Sequence, residues 1–287
     1  FIMSKKIEYF FYSFLPFLLV FAIEYAATFF LLGILCVVEL IATSGNSAID
    51  ADSVFTDVMN QLTDVHFSTY TMVLYSLISI CTFGIWYVVK FHGRLRPNFK
   101  QNFHPKTVLG IVLLTPGAQC VCTYLVAILA TLFPSWMDTY EKLLENAGMD
   151  DKLTFGLFLY SVLLAPICEE LLCRGVILKS IRRCLPFWAA NLFQALLFGV
   201  LHMNMIQGVY AFCLGIILGL VYEKTGSIFY SILLHMMFNF WGTVIGTLLD
   251  FSGSIPLYLL SSTIYMVLFV IGAVLVFGQK KKEFNTD

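Results

Sequence analysis

Residues 153–178 read LTFGLFLYSVLLAPICEELLCRGVIL. About 20 apolar residues, rising 1.5 Å each, cross the hydrocarbon core of a bilayer, so this stretch is long enough to span one. Its anomaly is the trio Glu169, Glu170 and Arg174, ionisable groups inside an otherwise apolar run. Placing one such group in a span costs on the order of 2.5–3.5 kcal/mol on insertion scales, which makes each a functional hypothesis by default.

Working outward, seven further apolar segments fall at approximately 10–42, 68–90, 107–134, 187–203, 206–222, 227–248 and 256–278. The chain is 59% hydrophobic and only 12% charged, against about 25% charged in a soluble protein, so a polar coat cannot be assembled. We expect an all-α polytopic membrane protein, a single membrane domain over 1–287, with about eight transmembrane helices enclosing an intramembrane catalytic cavity. The first segment exceeds what a bilayer needs; it reads as an uncleaved membrane helix that begins at the interface, with Pro16 as its break point.

Loop charge gives the orientation. Lys and Arg gather on the cytoplasmic side of short loops. Lys5 and Lys6, Lys90 to Lys106, Lys179 to Arg183, Lys224, and Lys280 to Lys282 fall in alternate connections. Asp50 to Asp64 and Asp138 to Asp151 occupy intervening ones. Eight spans with both termini cytoplasmic satisfy this pattern, in what composition and loops suggest is a bacterial plasma membrane. A net charge of −1 gives no electrostatic case for nucleic acid as a partner. The eight cysteines show no zinc-ribbon or disulfide-framework spacing and read mostly as buried free thiols.

Helical spacing then sorts the polar residues. Glu170 and Arg174, four apart, share a face and can pair. Glu169 is rotated about 100° from Glu170 and points elsewhere. One carboxylate is thereby neutralised and the other is left free for proton transfer. His202 closes the fifth apolar segment. His235 and Asn239, four apart on the seventh, can together hold a water, donate to an oxyanion, or bind a metal through the imidazole. Each residue alone has a structural explanation: an ion pair, a packing hydrogen bond, interhelical amide glue. Their convergence on three segments points to a catalytic or ion-handling site.

These residues resemble, in order, the three motifs of the CPBP family of intramembrane proteases, the CAAX proteases and bacteriocin-processing enzymes. The motifs stand here as Glu169-Glu170 with Arg174, Phe198 with His202, and His235 with Asn239; the run Leu214 to Ser227 is also similar. The resemblance covers about 150–245, a catalytic core within the membrane domain, and residues 1–149 contribute no motif. It implies peptide-bond hydrolysis near the cytoplasmic membrane face, on a membrane-associated peptide or protein substrate. Glu169 would activate water with His202 assisting, His235 and Asn239 would hold the oxyanion or the water, and Arg174 and Phe198 would support. The family is described both as metalloproteases and as glutamate-type enzymes, so zinc held by Glu169, His202 and His235 stays open. Two other classes stay open too: a proton-coupled transporter and a non-enzymatic bacteriocin immunity protein.

One conflict follows from the orientation. Glu169 and His235 fall in the cytoplasmic half, whereas a straight fifth span would carry His202 to the opposite leaflet. A short fifth segment, with the Met203–Gln207 turn at depth beside a wet cavity, resolves it. Gly215 and Gly219 are expected to let helices approach, Ser227 to cap the seventh span, Glu24 to be a packing or cavity residue of the first span, and Glu39 to be solvated.

Overall fold

The computed structural model describes residues 2–43, 51–62, 64–91, 103–148 and 153–278. Within them every regular element is helical, as the composition predicts. The loop charges Asp50, Arg94, Arg96, Lys100, Asp150, Asp151 and Lys280 to Lys282 lie outside the described residues.

The chain starts with α1 (Ile2–Tyr12) and α2 (Leu15–Thr43). Their junction falls at Ser13 and Phe14, directly before Pro16, because proline is tolerated in a first helical turn, where its missing N–H has no partner to lose. A short helix, α3 (Ala51–Leu62), leads into α4 (Val65–Phe91), then α5 (Pro105–Leu132) and α6 (Pro134–Asn146). The span that carries the acidic pair is α7 (Phe155–Ile181), followed by α8 (Phe187–Leu201), α9 (Met205–Thr225), α10 (Ile228–Ile245) and α11 (Ile255–Phe277).

Seven of these helices are long and apolar enough to cross a membrane: α1 with α2 as one run, α4, α5, α7, α9, α10 and α11. The remaining apolar segment, α8, has only 15 residues. Half of the most apolar window of α7 is buried, against 6% for the first span and 17% for α11. The span with the costliest residues is therefore the central one, and the most uniformly apolar spans face outward. On α11, Leu257, Leu260, Ile264, Val267, Ile271 and Val274 are all exposed. A soluble monomer seldom leaves so large an apolar face bare; this one meets lipid.

Between helices, glycine sets the closest approaches. A Cβ on Gly272 of α11 would stand 2.5 Å from the Gly110 carbonyl of α5, and one on Gly117 would stand 2.3 Å from Phe269 Cβ. On α9, Gly215 meets Ala195 and Gly219 meets the Asn191 side chain of α8, where an added Cβ would lie 1.8 Å from Oδ1. The Gly215–Gly219 pair therefore has the close-packing role read from its spacing.

Local signals fix the ends of the site-bearing helices. The Thr154 hydroxyl accepts from the Leu157 N–H at the start of α7, and Asn204 accepts from the Gln207 N–H at the start of α9. Gly226, at φ 71°, ends α9 in the left-handed conformation that glycine tolerates. Ser227 does occupy the N-cap position of α10, but its hydroxyl makes no capping bond; its N–H instead meets the Thr225 hydroxyl. The compact Thr-Gly-Ser turn takes over the role expected of the cap. Glu39 is also less solitary than expected, since the Gln61 amide of α3 bonds it.

Candidate active site

Proline shapes the centre of α7. The helix widens to π geometry over Leu159–Leu164 and again over Leu171–Ile177, leaving one α-helical turn, Ala165–Glu170, between them. In the wide register the Ala165 N–H reaches the Tyr160 carbonyl. The next carbonyl, Ser161, would be due the N–H of Pro166, which has none. Asn239 of α10 fills that gap: its Nδ2 donates to the Ser161 carbonyl at 2.8 Å. Widened turns of this kind recur at functional sites, and here one ties two site-bearing helices together.

Glu170 and Arg174 are fully buried and paired at 2.7 Å, as their spacing predicts. The guanidinium also donates to the Gly215 carbonyl of α9 at 3.0 Å and lies 4.9 Å from the centre of the Phe198 ring. Gln194 of α8 donates to the same carbonyl and to Asn191, which in turn donates to the Ile216 carbonyl. A buried charge is tolerated when it is paired and hydrogen-bonded; this network supplies both at Glu170 Oε1 and the two Arg174 amino groups, while Glu170 Oε2 and Arg174 Nε make no hydrogen bond within the protein. Phe198 meets the His202 and His235 rings edge-on, at 5.0 and 5.6 Å.

One contact was not legible from spacing. The Glu170 oxygen that takes Arg174 also accepts from His235 Nδ1, at 3.0 Å. That bond fixes the ring so that Nε2 faces Glu169 Oε2 at 3.6 Å. The acidic pair thus grips one histidine from two sides, with Glu170 orienting it and Glu169 opposite its second nitrogen. His202 is held as well: its Nδ1 lies 2.8 Å from the Phe198 carbonyl. A carbonyl only accepts, so Nδ1 carries a hydrogen, and in the neutral ring Nε2 is the nitrogen with the lone pair.

Glu169, His202 and Asn239 line one cavity of about 1010 Å³, with Ser161, Tyr160 and Tyr75 among its other walls. His202 reaches it because α8 is short. At 1.5 Å per residue its 15 residues extend about 22 Å, and the chain then turns through Met203, at φ 51°, into α9. A left-handed methionine is strained, a feature that gathers at functional sites. The short segment expected on grounds of orientation is present, whereas the turn expected to lie buried leaves Met203 and Met205 exposed and buries only Asn204 and Ile206. Helix α6 contributes Tyr140, Leu143 and Leu144 to the wall, and the Tyr140 and Tyr210 hydroxyls stand 3.4 Å apart.

A zinc site needs three or four ligand atoms at about 2.0–2.3 Å from one point. Among the described residues no group of three His, Cys, Asp or Glu side chains converges in that way. Glu169, His202 and His235 as they stand do not form a metal centre. All eight cysteines are free thiols; four are buried, and Cys81 is exposed.

Fold and cavity together define the class: an integral membrane protein of α-helices that enclose a polar site at the middle of the bundle. Residues 151–241 of this chain match the family described as type II CAAX prenyl endopeptidase Rce1-like. The match falls on the segment that carries the three motifs and agrees with the resemblance read from them. No curated protein and no solved structure gives a significant match.

Proposed function

We propose that the protein hydrolyses a peptide bond of a membrane-associated peptide or protein inside this cavity, near the cytoplasmic face. The observation that carries the reading is the division of labour within one motif. Glu170 and Arg174 are turned inward and neutralised, while Glu169 is presented to the cavity beside His202 and Asn239.

Glu169 acts as the general base that takes a proton from the attacking water. His202 offers a lone pair at Nε2 to the same space and assists. Asn239 spends one amide hydrogen on Ser161 and keeps the other for the oxyanion that develops on the scissile carbonyl. His235, oriented through Nδ1 by Glu170, turns Nε2 toward Glu169. Glu169, which lines the cavity, passes the proton on to the leaving amine, and His235 steadies that carboxylate as the two groups close from 3.6 Å to hydrogen-bond distance. Residues 150–245 form the catalytic core of a single membrane domain, in a bacterial plasma membrane with both termini cytoplasmic. The basic connections support that orientation.

The test is cleavage of a fluorogenic membrane-peptide library by purified protein in detergent, as wild type, Glu169→Ala and His235→Ala, with and without chelator. We expect both substitutions to abolish turnover. Cleavage that survives both refutes the assignment, and loss on chelation that zinc restores would replace the base mechanism with a metal-assisted one.

A further inference from the structure

Glu24 lies in the middle of the first span, and neither the three motifs nor the matched segment includes it. On α2 the neighbouring positions Val20, Ile23 and Ala27 are buried, so Glu24 borders the face turned toward the protein. It lines the same cavity as Glu169, His202 and Asn239. Tyr75 and Tyr160 lie within electrostatic range of both carboxylates, so the two acids share one polar region. The Glu24 carboxylate forms no ion pair or hydrogen bond with any described residue. Holding such a group inside a membrane span is expensive.

Two more observations point the same way. Glu24 and Glu169 are the charged residues of the cavity wall, and among the described residues no Lys or Arg lines it. Two buried polar atoms of the wall, Ser161 Oγ and Gln119 Oε1, have no hydrogen-bond partner within the protein. An extended peptide supplies what they lack, because its backbone carries a donor and an acceptor at every residue.

We propose that Glu24 is a specificity-determining residue that recognises a cationic amine or guanidinium on the substrate, close to the bond being cut. The inference rests on the hydrolytic reading above and deepens it by naming the substrate class: apolar, membrane-associated peptides that carry one positive charge near the scissile bond. The charge comes from a Lys or Arg side chain or from the peptide's own amino terminus. A substrate presenting a free carboxylate at this position meets repulsion from Glu24 instead.

The test uses the full chain in detergent with fluorescent apolar peptides of one length, each carrying a single Lys, Gln or Glu, with free or acetylated amino termini. Cleavage and binding are followed separately, binding with analogues whose amide bonds are N-methylated against hydrolysis. Wild type is expected to favour the Lys peptide over the Gln peptide by about tenfold, the equivalent of one partly desolvated charge pair. Glu24→Gln should erase that ratio, and Glu24→Lys should invert it in favour of the Glu peptide. A loss of binding and cleavage on acetylation that is the same for the Lys and Gln peptides would assign the cation to the amino terminus; a Lys preference that survives acetylation would assign it to the side chain. Equal cleavage and binding of the Lys, Gln and Glu peptides by wild type, whether their amino termini are free or acetylated, overturns the inference without any variant, and so does a preference unchanged in Glu24→Gln. Charge-selective binding without cleavage of any peptide would sustain Glu24 as the recognition residue and refute hydrolysis. Cleavage without charge selectivity would do the reverse.

Discussion

Replacing Arg174 by Met keeps most of the side-chain volume and removes the charge that offsets Glu170. Both groups are fully buried, 2.7 Å apart. Removing one partner of such a pair costs about 3–5 kcal/mol, because it strands the other charge in a medium that solvates it poorly. Loss of the cation from the face of Phe198 adds about 0.5–2 kcal/mol. The Gly215 carbonyl adds nothing, since Gln194 still donates to it at 2.9 Å. His235 remains 3.0 Å from the stranded oxygen and offsets part of the cost, which puts the net near the lower figure, about 3 kcal/mol. The double variant Glu170→Gln with Arg174→Met removes the stranded charge and should recover about 2 kcal/mol of that loss. The chain carries its own reporters: Cys168 and Cys173 lie on the same turns of α7 and are buried. A thiol-reactive dye would label them only as the bundle opens, over a constant signal from exposed Cys81. Thermal midpoints in one detergent should rank wild type above the double variant and the double variant above Arg174→Met. A single variant that melts with wild type, or a double variant no more stable than the single, refutes the argument.

Glu169→Gln should lower turnover by about 10²–10⁴-fold, the share a positioned base supplies, with its thermal midpoint close to wild type; a midpoint depressed as far as that of Arg174→Met would mark Glu169 as structural instead. Asn239→Leu leaves the Ser161 carbonyl without its donor, so it should lose about 1–3 kcal/mol of stability as well as activity, measured by dye unfolding and peptide cleavage side by side. Gly219→Ala sets a methyl group against Asn191 Oδ1, and overpacking of this kind costs about 1–3 kcal/mol; an unaltered melting curve would show that α8 and α9 separate more easily than their contacts indicate.

Much of the architecture was legible because lipid imposes a simple rule. A span needs an unbroken apolar run, and all eight runs read from the sequence became helices whose ends differ by a few residues. The Glu170–Arg174 pair was legible too, since four residues is one helical turn. Helix α6 was missed because charge was weighed ahead of period. Its Asp138, Glu141 and Glu145 read as an acidic loop, yet Trp136, Tyr140, Leu143 and Leu144 recur at helical spacing. The grip of Glu170 on His235 could not have been found, as it joins positions 65 residues apart. The bond from Asn239 to Ser161 depends on a π-widened turn meeting a proline, and no periodicity announces that coincidence. Glu24 announced itself only as an anomaly of cost.

Helix α8 faces the membrane with a narrow seam of Trp188, Leu192, Leu196 and Val200, all exposed and each one turn from the next. Its length of about 22 Å falls well short of the roughly 30 Å hydrocarbon core that the neighbouring spans match. Lipid beside an under-length apolar wall thins to meet it, at a fraction of a kcal/mol per Å of mismatch. Thinning of that kind would place a dimple along the side of the protein where α8 ends at His202. A peptide lying at the interface has less hydrocarbon to cross there than anywhere else on the perimeter, and turnover will depend on the acyl-chain length of the surrounding lipid.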